Sequence, residues 1–105
     1  MPLRDEIAQL LDLPENGTGA PSLDIIESTL TDGYAAKLAL EAERWRIEQR
    51  LGVVARDAGE VKPHSVAAEL AELSDRLETT DGELARLRSL LRKLEGVRRR
   101  RRAAA

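Results

Sequence analysis

Between residues 66 and 94 the chain repeats one spacing without a miss. Val66, Leu70, Leu73, Leu77, Thr80, Leu84, Leu87, Leu91 and Leu94 follow one another at alternating intervals of four and three. Only an α-helix gathers such positions on one stripe, and a helix with a narrow, nearly pure leucine stripe must lay it against another helix. Thr80 is the one polar member and helps to fix the register. Phe and Cys are absent, and Tyr, Trp and Met occur once each. Apolar bulk therefore comes from Leu, Ala, Val and Ile, which together with abundant Glu and Arg is the composition of long helices.

The partner for this stripe lies earlier in the chain. From Leu23 to about Arg56 no Pro interrupts, and Ile26, Gly33, Ala36, Leu40, Ile47, Leu51 and Val54 fall on one face at helical periodicity. Ser22 is placed to cap this helix and Asp24 to meet the positive end of its dipole. The segment 57–63 (DAGEVKP) holds Gly59 and Pro63, a helix stop and a helix start, and reads as the turn of a hairpin. Upstream, Leu3, Ile7, Leu10 and Leu11 mark a helix too short to stand alone in water. A Pro- and Gly-rich linker, PENGTGAP at 14–21, follows it. Its Asn16-Gly17-Thr18 matches a glycosylation sequon but reads as a bare turn.

The expected fold is all-α: a long antiparallel helical hairpin of coiled-coil character with a short N-terminal helix, dimerising into a helical bundle. Residues 1–21 form the N-terminal helix and linker. Residues 22–97 form the hairpin, with helices at about 22–57 and 64–97, and residues 98–105 form a basic tail. Gly33 lies on the apolar face, where close approach of another backbone is expected, whereas Gly82 lies on the outer face. Thr31-Asp32-Gly33 recurs as Thr80-Asp81-Gly82, each followed by a basic residue and Leu, and is read as coincidence in a low-complexity helical chain.

The first long helix has a second apolar patch. Tyr34, Leu38 and Trp45 lie more than about 100° round from Leu40 and Ile47, with Lys37, Glu41, Arg44 and Glu48 running between. A two-helix hairpin buries one stripe only, so these three residues are candidate interface residues. Either the N-terminal helix folds back and lays Leu3, Ile7 and Leu10 over them, or a second copy covers them. Homodimerisation and an unidentified protein partner are the expected associations.

Charge is unevenly spread. Residues 1–91 hold ten Lys/Arg and eighteen Asp/Glu, while residues 92–105 hold seven Lys/Arg and one Glu. Arg98, Arg99, Arg100, Arg101 and Arg102 are candidate phosphate contacts, because guanidinium forks match phosphate oxygens. The alternative function is thus a nucleic-acid-associated accessory protein using this tail. Against it, the body is acidic, no aromatic is interleaved for stacking, and cations also complement a helix C-terminus.

The chemistry of enzymes and metals finds little purchase here. Without Cys there is no thiolate nucleophile, and His64, the single histidine, sits beside Pro63 at the expected turn. No Glu-x-x-His pair and no phosphate-binding glycine loop occurs. The carboxylates Glu41, Glu48, Glu69, Glu72 and Glu83 flank the seams as ion-pair partners for Arg44, Arg76 and Arg86. A non-enzymatic interaction module with no cofactor is expected. No run reaches the roughly 18 apolar residues of a membrane span. Asp5 and Glu6 stand where a signal peptide carries basic residues, so a cytoplasmic location is expected. Small secreted WXG-type proteins share this size and hairpin plan but carry Trp-x-Gly in the turn between helices. Here the turn has no Trp and the single one, Trp45, is placed mid-helix, so the chain does not resemble that family.

Overall fold

A computed structural model describes residues 1–57 and 63–104. Every regular element among them is helical: α1 (Pro2–Asp12), α2 (Leu23–Arg56) and α3 (Pro63–Ala104). The centre of the expected turn, including Gly59 and Glu60, lies outside the described residues.

Local chemistry sets the helix ends. Pro2 occupies the first turn of α1, where a missing N–H costs nothing, and Asp5 sits near the positive end of the dipole. Leu13 leaves the helix in an extended conformation, and Pro14 prevents its resumption. In the linker, Gly17 and Gly19 take positive φ values of 78° and 88°, a conformation that a side chain makes costly. The Ala20 N–H closes a turn onto the Gly17 carbonyl at 3.2 Å. Ser22 caps α2 as expected: its Oγ accepts from the Ile25 N–H at 3.1 Å, and its carbonyl accepts from the Ile26 N–H at 3.1 Å.

Two compact units divide the chain: unit 1 is Met1–Leu38 with Ala85–Ala105, and unit 2 is Ala39–Leu84. Helices α2 and α3 contribute to both.

Unit 2 is a pair of antiparallel helix segments. Its core is Ile47, Val54, Val66 and Leu73, with Leu51, Leu70 and Leu77 packed against them, so both predicted stripes meet. Thr80 and Leu84 are buried too. Ion pairs flank this core. Arg50 reaches Glu69 at 2.6 Å, Arg76 reaches Glu43 at 2.8 Å, and Arg44 reaches both Glu48 at 3.0 Å and Asp81 at 2.9 Å. Arg46 and Arg76 share the Glu43 carboxyl and hold it below the ordinary Glu range. These groups are largely solvent-exposed, so each pair adds little stability and serves mainly to favour one register.

Unit 1 adds α1 to the helix pair. Ile7, Ile26, Leu30, Leu87, Leu91, Leu94 and Val97 are all buried. Gly33 sits among them: a Cβ there would collide with Leu91 Cδ2 and lie 3.6 Å from Ile7 Cδ1. The close approach at Gly33 is made by side chains of α3 and α1, not by another backbone as expected. This placement also answers where the N-terminal helix goes. Ile7 is fully buried at Gly33, while Tyr34, Leu38 and Trp45 stay 42%, 66% and 61% exposed. Of the two covers considered for the patch, α1 leaves Tyr34 and Leu38 of unit 1 exposed. Gly33, lacking a side chain, leaves the space on α2 that the Ile7 and Leu91 side chains approach.

Candidate functional site

The arginine run is helical. α3 continues through it to Ala104, about two turns beyond the end expected near residue 97. Four of the five guanidinium groups find acceptors within unit 1. Arg98 pairs with Glu95 one turn earlier, its Nε donating to Oε1 at 2.7 Å. Arg100 forks onto both oxygens of Glu15, with Nε donating to Oε2 at 2.9 Å and Nη2 to Oε1 at 2.5 Å. Arg101 donates to the Pro21 carbonyl at 2.6 Å, and Arg102 donates to Glu27 Oε1 from both Nε and Nη2. Arg100, Arg101 and Arg102 tie the end of α3 to the linker and to the first turns of α2. Forks onto carboxylates and a carbonyl are strong, directional contacts, and they use the donors that the sequence offered to phosphate.

The Glu15–Arg100 contact has a pH consequence. The hydrogen bond from Arg100 holds the Glu15 carboxyl below the ordinary Glu range, and the carboxylate in turn raises Arg100. A carboxyl lowered in the folded state adds stability above its unfolded value, about 4.3, and loses that contribution as pH falls through the lowered folded value. A side-chain NMR titration is expected to place the Glu15 midpoint below that of a free Glu. In Arg100→Gln it should return to the ordinary value. An unchanged midpoint would show that the pair does not form.

Arg99, the fifth of the run, faces elsewhere. It lines a surface groove of about 470 Å³ with Arg88 and Arg92 of α3, floored by Leu91 and bounded on the α2 side by Tyr34 and Lys37. Glu95 lies at its edge. The Tyr34 hydroxyl donates to Glu95 Oε2 at 2.8 Å, while Arg98 occupies Oε1. Burial works to raise Glu95, but the hydrogen bonds from Tyr34 and Arg98, with the nearby charge of Arg99, outweigh it and hold this carboxyl low. The anion raises the Tyr34 phenol, through its hydrogen bond first and burial second. Tyr34 is thus a fixed ring at the rim of a cationic groove.

Arg88, Arg92, Glu95 and Arg99 follow a four-three-four spacing, the first three each one residue beyond a seam leucine, Leu87, Leu91 and Leu94. That stripe was present in the sequence and was obscured by the denser run after it. The other candidate positions are dispersed. Leu38 closes the α2 segment of unit 1, Trp45 belongs to unit 2, and His64 stands exposed in the first turn of α3. Among the described residues no three or more His, Cys, Asp or Glu side chains gather where they could hold a metal ion, and no helix is long and apolar enough to cross a membrane. The chain matches no family model, no curated protein and no solved structure.

Proposed function

We propose that this chain is a non-enzymatic protein–protein interaction module, acting in the cytoplasm, that self-associates as a dimer through the exposed apolar residues of α2. One observation carries the reading: Leu38 and Trp45 stand 66% and 61% exposed on a helix whose other large apolar side chains are mostly packed. Single exposed leucines are ordinary on protein surfaces. A largely exposed Trp is costlier, and Trp is enriched where partners bury it. The occupant is a second copy, because an isologous contact lets Leu38 and Trp45 of each chain cover those of the other. A two-fold-related α2 would present the same two apolar side chains to each other. Along the leucine seam, α2 and α3 pack as a coiled-coil hairpin, giving four long helices in the dimer. The lack of Cys and the exposed position of His64 support a binding role over a catalytic one.

Light scattering at micromolar concentration tests this. The wild type should scatter with twice the chain mass. The double variant Leu38→Glu/Trp45→Glu should scatter as a monomer with unchanged helical circular dichroism. A wild type that stays monomeric throughout the micromolar range would sink the proposal.

A further inference from the structure

The groove of unit 1 combines three features that the sequence keeps apart. Its cations are available: Arg88 and Arg92 have no ion-paired carboxylate among the described residues, and Arg99 neighbours Glu95 without a hydrogen bond to it. They stand in a row, since positions 88, 92 and 99 on one helix lie about 6 and 10 Å apart along its axis. An aromatic ring also borders the row. Tyr34 is 42% exposed, lines the groove, and holds its hydroxyl on Glu95 at 2.8 Å. The one acid in the groove is already countered, with Arg98 on one oxygen and Tyr34 on the other. Unit 1 as a whole is basic, with eleven Lys/Arg against eight Asp/Glu.

From this we infer that the groove binds single-stranded nucleic acid, with Arg88, Arg92 and Arg99 on successive backbone phosphates and Tyr34 stacked on an unpaired base. A row of guanidinium forks follows a phosphate chain. An aromatic face beside the row accepts a base whatever its identity, so the binding is sequence-tolerant and requires unpaired bases. An acidic peptide would meet the same forks but would have no use for the ring. The contact differs from the one the arginine run suggested, because four of those five side chains are engaged within unit 1 and only Arg99 joins the groove. The proposal does not depend on self-association, since every residue it uses belongs to one unit of one chain.

Fluorescence anisotropy of a labelled twenty-nucleotide oligo-dT, titrated at several salt concentrations, tests it. The wild type should bind with an affinity that falls as salt rises. Arg88→Gln/Arg92→Gln/Arg99→Gln should lose at least about tenfold in affinity, with a salt slope lower by about 2, at roughly 0.7 per lost phosphate contact. Tyr34→Ala should weaken binding at least about fivefold, whereas Tyr34→Phe, which keeps the ring and loses only the hydroxyl contact with Glu95, should weaken it clearly less. Arg92→Gln and Arg99→Gln alone, at exposed positions, should each lower the slope by about 0.7 and keep the test readable should the triple variant unfold. Leu38→Glu/Trp45→Glu should bind as the wild type does, even where it abolishes the dimer. The inference is overturned if the groove variants bind like the wild type. It is overturned equally if Tyr34→Ala is silent while polyphosphate or poly-glutamate competes as well as unlabelled oligo-dT, the behaviour of a generic cationic patch.

Discussion

Leu87→Ala is expected to cost about 2–5 kcal/mol of unfolding free energy, whereas the same change at Leu38 should cost no more than about 0.5 kcal/mol in dilute protein. Leu87 is fully buried in unit 1 and Leu38 is 66% exposed. Truncating Leu87 forfeits the transfer free energy of its lost methyl and methylene groups. It also leaves a cavity among branched side chains that cannot all move in to fill it. Truncating Leu38 removes atoms already in water. A small domain has only about 5–15 kcal/mol in hand, so the first change should lower the urea midpoint severely and the second should barely move it. Dilution matters for the comparison, because Leu38 is proposed to be buried by a second copy at higher concentration. Equal midpoints for the two variants would mean that the leucine seam does not form the core of unit 1.

The seam was legible because its information is local. Three-four spacing is a property of positions close in sequence, and it survives in the structure from Val66 to Leu94, with Thr80 buried among the leucines. The cap at Ser22 was readable for the same reason, since its hydroxyl reaches an N–H only three residues on. What could not be read depends on pairs that no period encodes. Glu15 and Arg100 are 85 residues apart, Glu27 and Arg102 are 75, and Tyr34 and Glu95 are 61. Without those partners the arginine run looks like a frayed tail, while with them it is a packed helix end. Leu30, buried on α2, and Val97, buried beyond the last seam leucine, divide between the two cases. Leu30 does fit the three-four spacing between Ile26 and Gly33, whereas Val97 falls where the four-residue step from Leu94 would give Arg98.

The candidate site shows the same division. Arg98–Arg102 stood out by density, but density says nothing about which donors the fold leaves open. The groove arginines carry a periodic signal, one residue out of phase with the leucines, and only the arrival of Tyr34 from α2 gives that stripe an aromatic border. Similarly, the grouping of Tyr34 with Leu38 and Trp45 follows from helical angle alone. The hydroxyl contact with Glu95 separates Tyr34 from the other two, fixing it toward the groove while they remain exposed.

Gly33→Val is expected to destabilise unit 1, although the glycine is a poor residue for the middle of a helix. On propensity alone, replacing an interior Gly gains up to about 1 kcal/mol. Gly52→Ala should realise that gain, because its new methyl would meet only an Arg56 nitrogen at 3.6 Å, an ordinary contact. At Gly33 the first added carbon already collides with Leu91 Cδ2 and stands 3.5 Å from Leu91 Cγ and 3.6 Å from Ile7 Cδ1. Leu91 and Ile7 are 3% and 0% exposed, so neither can swing into solvent to relieve the clash. Overpacking of this kind costs about 1–3 kcal/mol, sometimes more, and outweighs the smaller propensity gain of a β-branched residue. The cause can be isolated with a second substitution. Leu91→Ala alone should also destabilise, by about 2–5 kcal/mol, but it removes the atom that obstructs the valine. In Gly33→Val/Leu91→Ala the new side chain fills part of the new cavity, so the double variant should be more stable than the two separate losses predict. Strict additivity in thermal unfolding would mean that Gly33 and Leu91 are not in contact, and the packing of α3 on α2 at that point would fall with it.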